Sequence, residues 1–157
     1  MKDIEDMPGH LIRRFNQIAV AIFHAEVGEA GSDLTPVQYA ALAKVRTHQG
    51  VDQVTLAGLI AYDRTTITGV VDRLVQKGFL RRDVSDKDRR ARELQITEEG
   101  VDILRRIEPS VEAAQRIMLS GLSEEEAETF LRLLRKATTA VNDLSRAPLR
   151  AAGTSDK

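Results

Sequence analysis

Residues 63–97 read "DRTTITGVVDRLVQKGFLRRDVSDKDRRARELQIT", a stretch that opens on threonines in an apolar helical pattern and closes on a basic run between two strand-like segments. Ile67, Val70, Val71, Leu74 and Val75 recur at the spacing of one helix face, so a helix with one buried side is expected over about 63–77. Gly78 supplies the stop, because a residue without Cβ readily takes the left-handed conformation that ends helices. Phe79 to Val84 and Ala91 to Thr97 then read as two short strands joined by a polar turn.

Upstream, "LTPVQYAAL" (34–42) offers Thr35 as N-cap, Pro36 at the first helical position and Gln38 completing a capping box. Gly50 breaks the chain, and Thr55 is expected to cap a short helix carrying Leu56, Leu59 and Ile60. Further out, Leu11, Phe15, Ile18 and Ile22 form a narrow stripe on a first helix, of the kind that seams one helix to another. Downstream, Val101, Leu104, Ile107, Val111, Ala114 and Met118 mark a long helix that Pro109 is expected to kink. Ser123 and Glu126 form a second capping box, ahead of Phe130, Leu134, Ala137, Val141 and Leu144 at heptad spacing. The chain therefore reads as mainly α with a small β-hairpin: a helix-helix-hairpin lobe over 34–97, flanked by helices over 8–30 and 100–145 whose narrow stripes suggest packing on each other and on a second copy. Residues 146–157 read as a disordered tail.

A formal net charge of -1 hides an asymmetry: nine Lys or Arg against five Asp give 63–92 a net +4, leaving -5 for the rest. Positive charge gathered on an otherwise acidic chain suits a polyanion. On the helix, Thr65, Gly69, Asp72 and Gln76 lie opposite the apolar side, with Thr66, Thr68 and Arg73 on the flanks and Arg64 just before them. Such a small, polar face can enter a major groove, and a missing side chain at Gly69 permits close approach. The turn projects Lys87, Arg89, Arg90 and Arg92, and an arginine on a narrow tip can enter a minor groove. Asp88, two residues before Arg90, is expected to hold that guanidinium in a fixed fork.

Taken together, the helix-turn-helix and wing, the Asp88-Arg89-Arg90 triplet, "LTPVQYAAL" and "LQITEEG" (94–100) resemble the MarR family of winged-helix regulators over essentially the whole chain. The resemblance implies a homodimer joined by its terminal helices and bound to pseudo-palindromic double-stranded DNA through two recognition helices and two wings. It maps the wing arginine onto Arg90, with Asp88 as its partner. It also implies a small phenolic or aromatic-acid effector that releases a repressor from genes for aromatic catabolism or export, and the charge of Arg14 and His10 favours a planar aromatic or heteroaromatic carboxylate such as a hydroxybenzoate or hydroxynicotinate. For that ligand the first helix offers His10, Arg14 and Gln17 on one flank of its stripe, with Tyr39 as an aromatic wall, while Arg13 and Asn16 are ranked lower as pointing away.

Other functions find little footing. Without cysteine there is no disulfide, thiolate nucleophile, thiol sensor or cysteine zinc site. His24 and His48 are isolated, so no metal or other cofactor is expected. No run of about 18 apolar residues is present, which argues against a membrane span and for the cytoplasm. Neither a phosphate-binding glycine loop nor a nucleophile with its base is visible, so an enzyme is not expected. The rival is a winged-helix module that binds protein without an operator.

Overall fold

The computed structural model describes residues 3–153. After a 3-10 turn at Ile4–Asp6 come α1 (Pro8–Glu29), α2 (Pro36–Thr47), α3 (Gln53–Leu59), α4 (Ile67–Gln76), β1 (Leu80–Val84), β2 (Arg92–Ile96), α5 (Glu98–Met118) and α6 (Glu124–Ala140). A second 3-10 turn covers Asn142–Leu144. The mainly helical fold with a two-stranded wing is the one expected from the sequence.

Local chemistry sets most boundaries. Thr35 and Ser123 each close a reciprocal capping box, with Gln38 and Glu126. The cap of α3 is Asp52 and not Thr55: the Asp52 carboxylate accepts the Thr55 amide at 2.8 Å and the Thr55 hydroxyl at 2.7 Å. Burial works against the charge of Asp52, but the bonds from Thr55 outweigh it and lower its pKa. Gly78 ends α4 at φ +77 as expected, whereas the turn between α3 and α4 places Ala61 at φ 51, a conformation that costs an alanine energy. α4 starts later than the sequence suggested. Asp63 accepts the amide of Thr65 at 2.7 Å, shaping a turn over 64–66, so Thr65 and Thr66 precede the helix.

One core joins the lobe to the long helices. Leu42, Val45, Leu56, Ile67, Val71 and Leu74 from the helix-turn-helix are fully or almost fully buried with Leu80 and Leu94 from the hairpin, and the core continues through Phe23 and Val27 of α1 to Leu104 and Ile107 of α5. β1 and β2 pair antiparallel with Leu80 opposite Ile96 and Val84 opposite Arg92. Val51 adds a bridge to Leu94, which ties the loop before α3 to the wing. α5 runs unbroken through Pro109, beginning where Thr97 caps it and donates its hydroxyl to the Gly78 carbonyl at 2.6 Å.

Two expectations at the C-terminus are corrected. α6 ends at Ala140, so Val141 and Leu144 fall outside the heptad helix. Residues 146–150 of the expected tail are held against the lobe, because Arg146 pairs with Asp63 and the Arg150 amide donates to the Gly58 carbonyl. Residues 154–157 of that tail lie outside the described ones. α6 has no buried residue within the single chain. Phe130 meets Phe15 edge to face at 5.6 Å, while Leu131 and Leu133 on α6 and Leu11, Ile12 and Ile18 on α1 stay exposed.

Candidate nucleic-acid interface

α4 buries Ile67, Val70, Val71 and Leu74 and turns Thr68, Gly69 and Arg73 outward; Arg64, Thr65 and Thr66 are exposed at its approach. A Cβ at Gly69 would meet nothing within 4 Å, so no packing inside the chain requires glycine there, and the smooth spot faces outward. Asp72 departs from its expected role on the outer face. It is half-buried and paired with Arg82 of β1. Arg82 also donates to the Gln53 carbonyl oxygen at 3.2 Å, and the Gln53 amide donates to the Thr68 hydroxyl at 2.9 Å. The chain of four side chains locks α3, α4 and the wing strand to one another. Thr68 keeps its own proton to donate outward.

The wing tip is built from local backbone bonds. Ser85 donates its amide to the Ala91 carbonyl at 3.2 Å, Ala91 to that of Asp88 at 2.9 Å, and Lys87 to the Ser85 hydroxyl at 3.2 Å. Asp88 accepts the backbone amide of Arg90 at 2.9 Å, not its guanidinium as the sequence suggested. A carboxylate two residues upstream of an amide closes a tight turn before it can reach along the arginine side chain. Asp88 thus fixes the tip. Lys87, Arg89 and Arg90 remain exposed, while Arg92 folds back onto the Arg89 carbonyl at 3.3 Å.

The Asp63 carboxyl titrates below the usual carboxylate range, first because of the Thr65 hydroxyl and amide and then because of the nearby Arg146 guanidinium. Asp33 is lowered by Lys77, which donates to both its oxygens at 2.6 and 2.7 Å and pins the end of α4 to the loop before α2. Gln53, Asp63, Arg82 and Arg146 were not among the residues singled out from the sequence. A signal existed for Asp63, since Asp-x-Thr is a turn pattern; the others meet through residues distant in sequence.

The residues expected to hold a ligand fall in two places, three of them along α1 and Tyr39 on α2. His10 is half-buried and Arg14 and Gln17 are exposed, and none lines a cavity described below. Gln17 accepts from Arg13 at 2.8 Å instead. Tyr39 does line a cavity of about 230 Å³, with Asn16, Phe23, Val111, Gln115 and Met118. Asn16 also borders an apolar groove of about 690 Å³ between α1, α5 and α6. Its flank, ranked lower from the sequence, is the one that faces α5. Among the described residues no group of three His, Cys, Asp or Glu side chains could hold a metal ion, and no helix is long and apolar enough to cross a membrane.

A family model described as the MarR family matches residues 34–91, the helix-turn-helix and the first half of the wing. The chain is 30% identical over 134 residues to the HTH-type transcriptional repressor NicR of Pseudomonas putida, covering 85% of this chain and 84% of that one. The PcaV transcriptional regulator of Streptomyces coelicolor, solved with its natural ligand, matches with a TM-score of 0.81 and 31% identity over 90% of this chain and 98% of that one. Bordetella bronchiseptica BpsR, whose DNA binding is regulated by 6-hydroxynicotinic acid, matches with a TM-score of 0.81 and 28% identity over 88% of this chain and 97% of that one.

Proposed function

Because the chain belongs to the MarR family of DNA-binding transcription regulators, we propose that it is a homodimeric repressor released from pseudo-palindromic operator DNA by a planar aromatic or heteroaromatic carboxylate. The observation that carries the reading is the polar face of α4, locked through Gln53, Asp72 and Arg82 to a wing whose tip exposes Lys87, Arg89 and Arg90. In the bound state the helix presents Thr65, Thr66, Thr68 and Arg73 around Gly69 to base edges and phosphates of a major groove. Arg64 accompanies them at the backbone. The wing arginines reach the neighbouring minor groove, whose negative potential draws a guanidinium inward.

Dimerisation is supported by the apolar faces of α1 and α6, where Leu11, Ile18, Leu131 and Leu133 are between 44% and 49% exposed in one chain. A two-fold axis there sets two recognition helices one helical turn of DNA apart, roughly 34–36 Å. The effector is assigned to the cavity beside Asn16, Tyr39 and Gln115, where neutral donors can bond a carboxylate and Phe23 and Met118 flank its ring. For release, the ligand must bind better to the dimer whose recognition helices are misplaced, since equal affinity for both states shifts nothing. BpsR, regulated by 6-hydroxynicotinic acid, supports this choice of ligand class.

The experiment is a gel-shift titration on duplexes selected by the protein from a random pool, with and without 6-hydroxynicotinate and 4-hydroxybenzoate. Expected are a palindromic site and weaker binding with at least one of the two acids, lost on Asn16→Leu and kept on Arg14→Ala. Failure to select any site refutes the operator, and indifference to both acids refutes the effector class.

A further inference from the structure

Beyond α6 the chain turns back and lies on the corner between α3 and α4. Asn142 closes this segment on itself, its side chain bonding the Leu149 amide at 2.8 Å and the Leu149 carbonyl at 3.1 Å. Arg150 then donates its amide to the Gly58 carbonyl at 2.8 Å and pairs its guanidinium with Asp143 at 2.7 Å. The seat is close-fitting: a Cβ at Gly58 would stand 3.0 Å from the Cβ of Arg150. The segment is thus fastened at both ends around Arg146.

Arg146 reaches from this fastening to Asp63, its Nε standing 2.9 Å from Oδ2 in an ion pair. The other oxygen of Asp63 accepts from the amide and hydroxyl of Thr65, the residue that leads into the recognition helix. Asp63 is only 17% exposed and already hydrogen-bonded, whereas the Arg146 side chain is 88% exposed. An isolated surface arginine samples many rotamers. This one has its root on a fastened segment and its Nε against the carboxylate that also holds Thr65, with the side chain otherwise open to solvent.

We propose that Arg146 is a DNA phosphate contact, oriented by Asp63, and that the C-terminal segment is part of the DNA-binding surface. The proposal rests on the reading of α4 as the helix that enters the major groove. A helix docked by its N-terminal end brings the approach to that end against the sugar-phosphate wall. A guanidinium anchored there can pair with two phosphate oxygens, as a lone ammonium would not.

The test is the salt dependence of binding to a mixed-sequence duplex and to the selected operator. Each phosphate contact contributes about 0.9 to the slope of log affinity against log salt, so Arg146→Ala in both subunits of a dimer should lower it by about 1.8. Affinity should fall by the same factor on both duplexes, because phosphates carry no sequence. Arg146→Lys should keep the slope. The double variant Arg146→Ala with Asp63→Asn, which leaves no uncompensated carboxylate near the DNA, should still show the lowered slope. A wild-type slope in Arg146→Ala, or a loss of slope that Asp63→Asn restores, overturns the proposal, and so does a loss confined to the operator. A wild-type protein that binds neither duplex overturns the reading beneath it as well.

Discussion

Replacing Gly100 with Ala tests how the wing is joined to the long helix. Gly100 is buried in the first turn of α5, and a Cβ there would stand 2.3 Å from the Phe79 carbonyl oxygen and 2.7 Å from Ile96 Cγ1. To reach ordinary contact the Phe79 carbonyl must retreat by roughly 1 Å, and it is backbone, not a flexible side-chain end. That carbonyl accepts the Thr97 amide at 3.1 Å, while the Thr97 hydroxyl accepts the Gly100 amide at 3.0 Å as the cap of α5. Overpacking costs about 1–3 kcal/mol, a weakened bond about 1, and a disturbed cap about 1. Alanine's better helix propensity returns up to about 1. We therefore expect a net loss of about 2–4 kcal/mol, a large share of the ~5–15 that holds a domain folded. Urea unfolding followed by circular dichroism measures it. A loss below about 0.5 kcal/mol, or a gain, would refute the steric argument.

Arg90→Ala should weaken operator binding by about 1–3 kcal/mol with an unchanged melting temperature, and unaltered affinity in a gel shift would remove the wing from recognition. Leu134→Glu, beside the Phe15–Phe130 contact, should shift sedimentation at micromolar concentration from dimer to monomer. Asp63 has its folded pKa below the unfolded value of about 3.9, so the stability it supplies is complete above that pH and fades as pH falls through the folded value. Asp63→Asn should accordingly flatten the acid limb of a melting-temperature profile between about pH 5 and 2, and an equally steep limb would count against the Thr65 bonds and the Arg146 charge as its cause.

Where partners lie within a turn or two of helix, the sequence could be read directly. Both capping boxes and the Gly78 stop were legible because donor and acceptor sit three or four residues apart. "LQITEEG" was legible as a motif, but its reason was not: Gly100 is required by the Phe79 carbonyl, which only the folded hairpin brings near. Thr55 and Asp52 can each cap a helix, and the choice follows from Val51 pairing with Leu94, which leaves Asp52 as the first residue free to cap. Asn16 was passed over for a similar reason. A stripe on α1 identifies a helix with two flanks, and which flank meets α2 and α5 depends on how those helices cross it. The segment after α6 is short of apolar periodicity and holds a proline, so it looks unstructured until Gly58 and Asp63 supply its partners.

The unbroken course of α5 makes it a lever. Its 21 residues span about 31 Å at 1.5 Å per residue, from the wing at Thr97 to the corner with α6. If the α6 end is the fulcrum, a tilt of about 6° moves the wing end by roughly 3.3 Å, close to the rise of one DNA base pair. Gln115 and Met118, which line the cavity beside Tyr39, sit near that fulcrum, and Gly100 sits at the far tip. On that geometry a displacement of a few tenths of an ångström beside Gln115 would carry the hairpin through about one base-pair rise, without any helix having to melt.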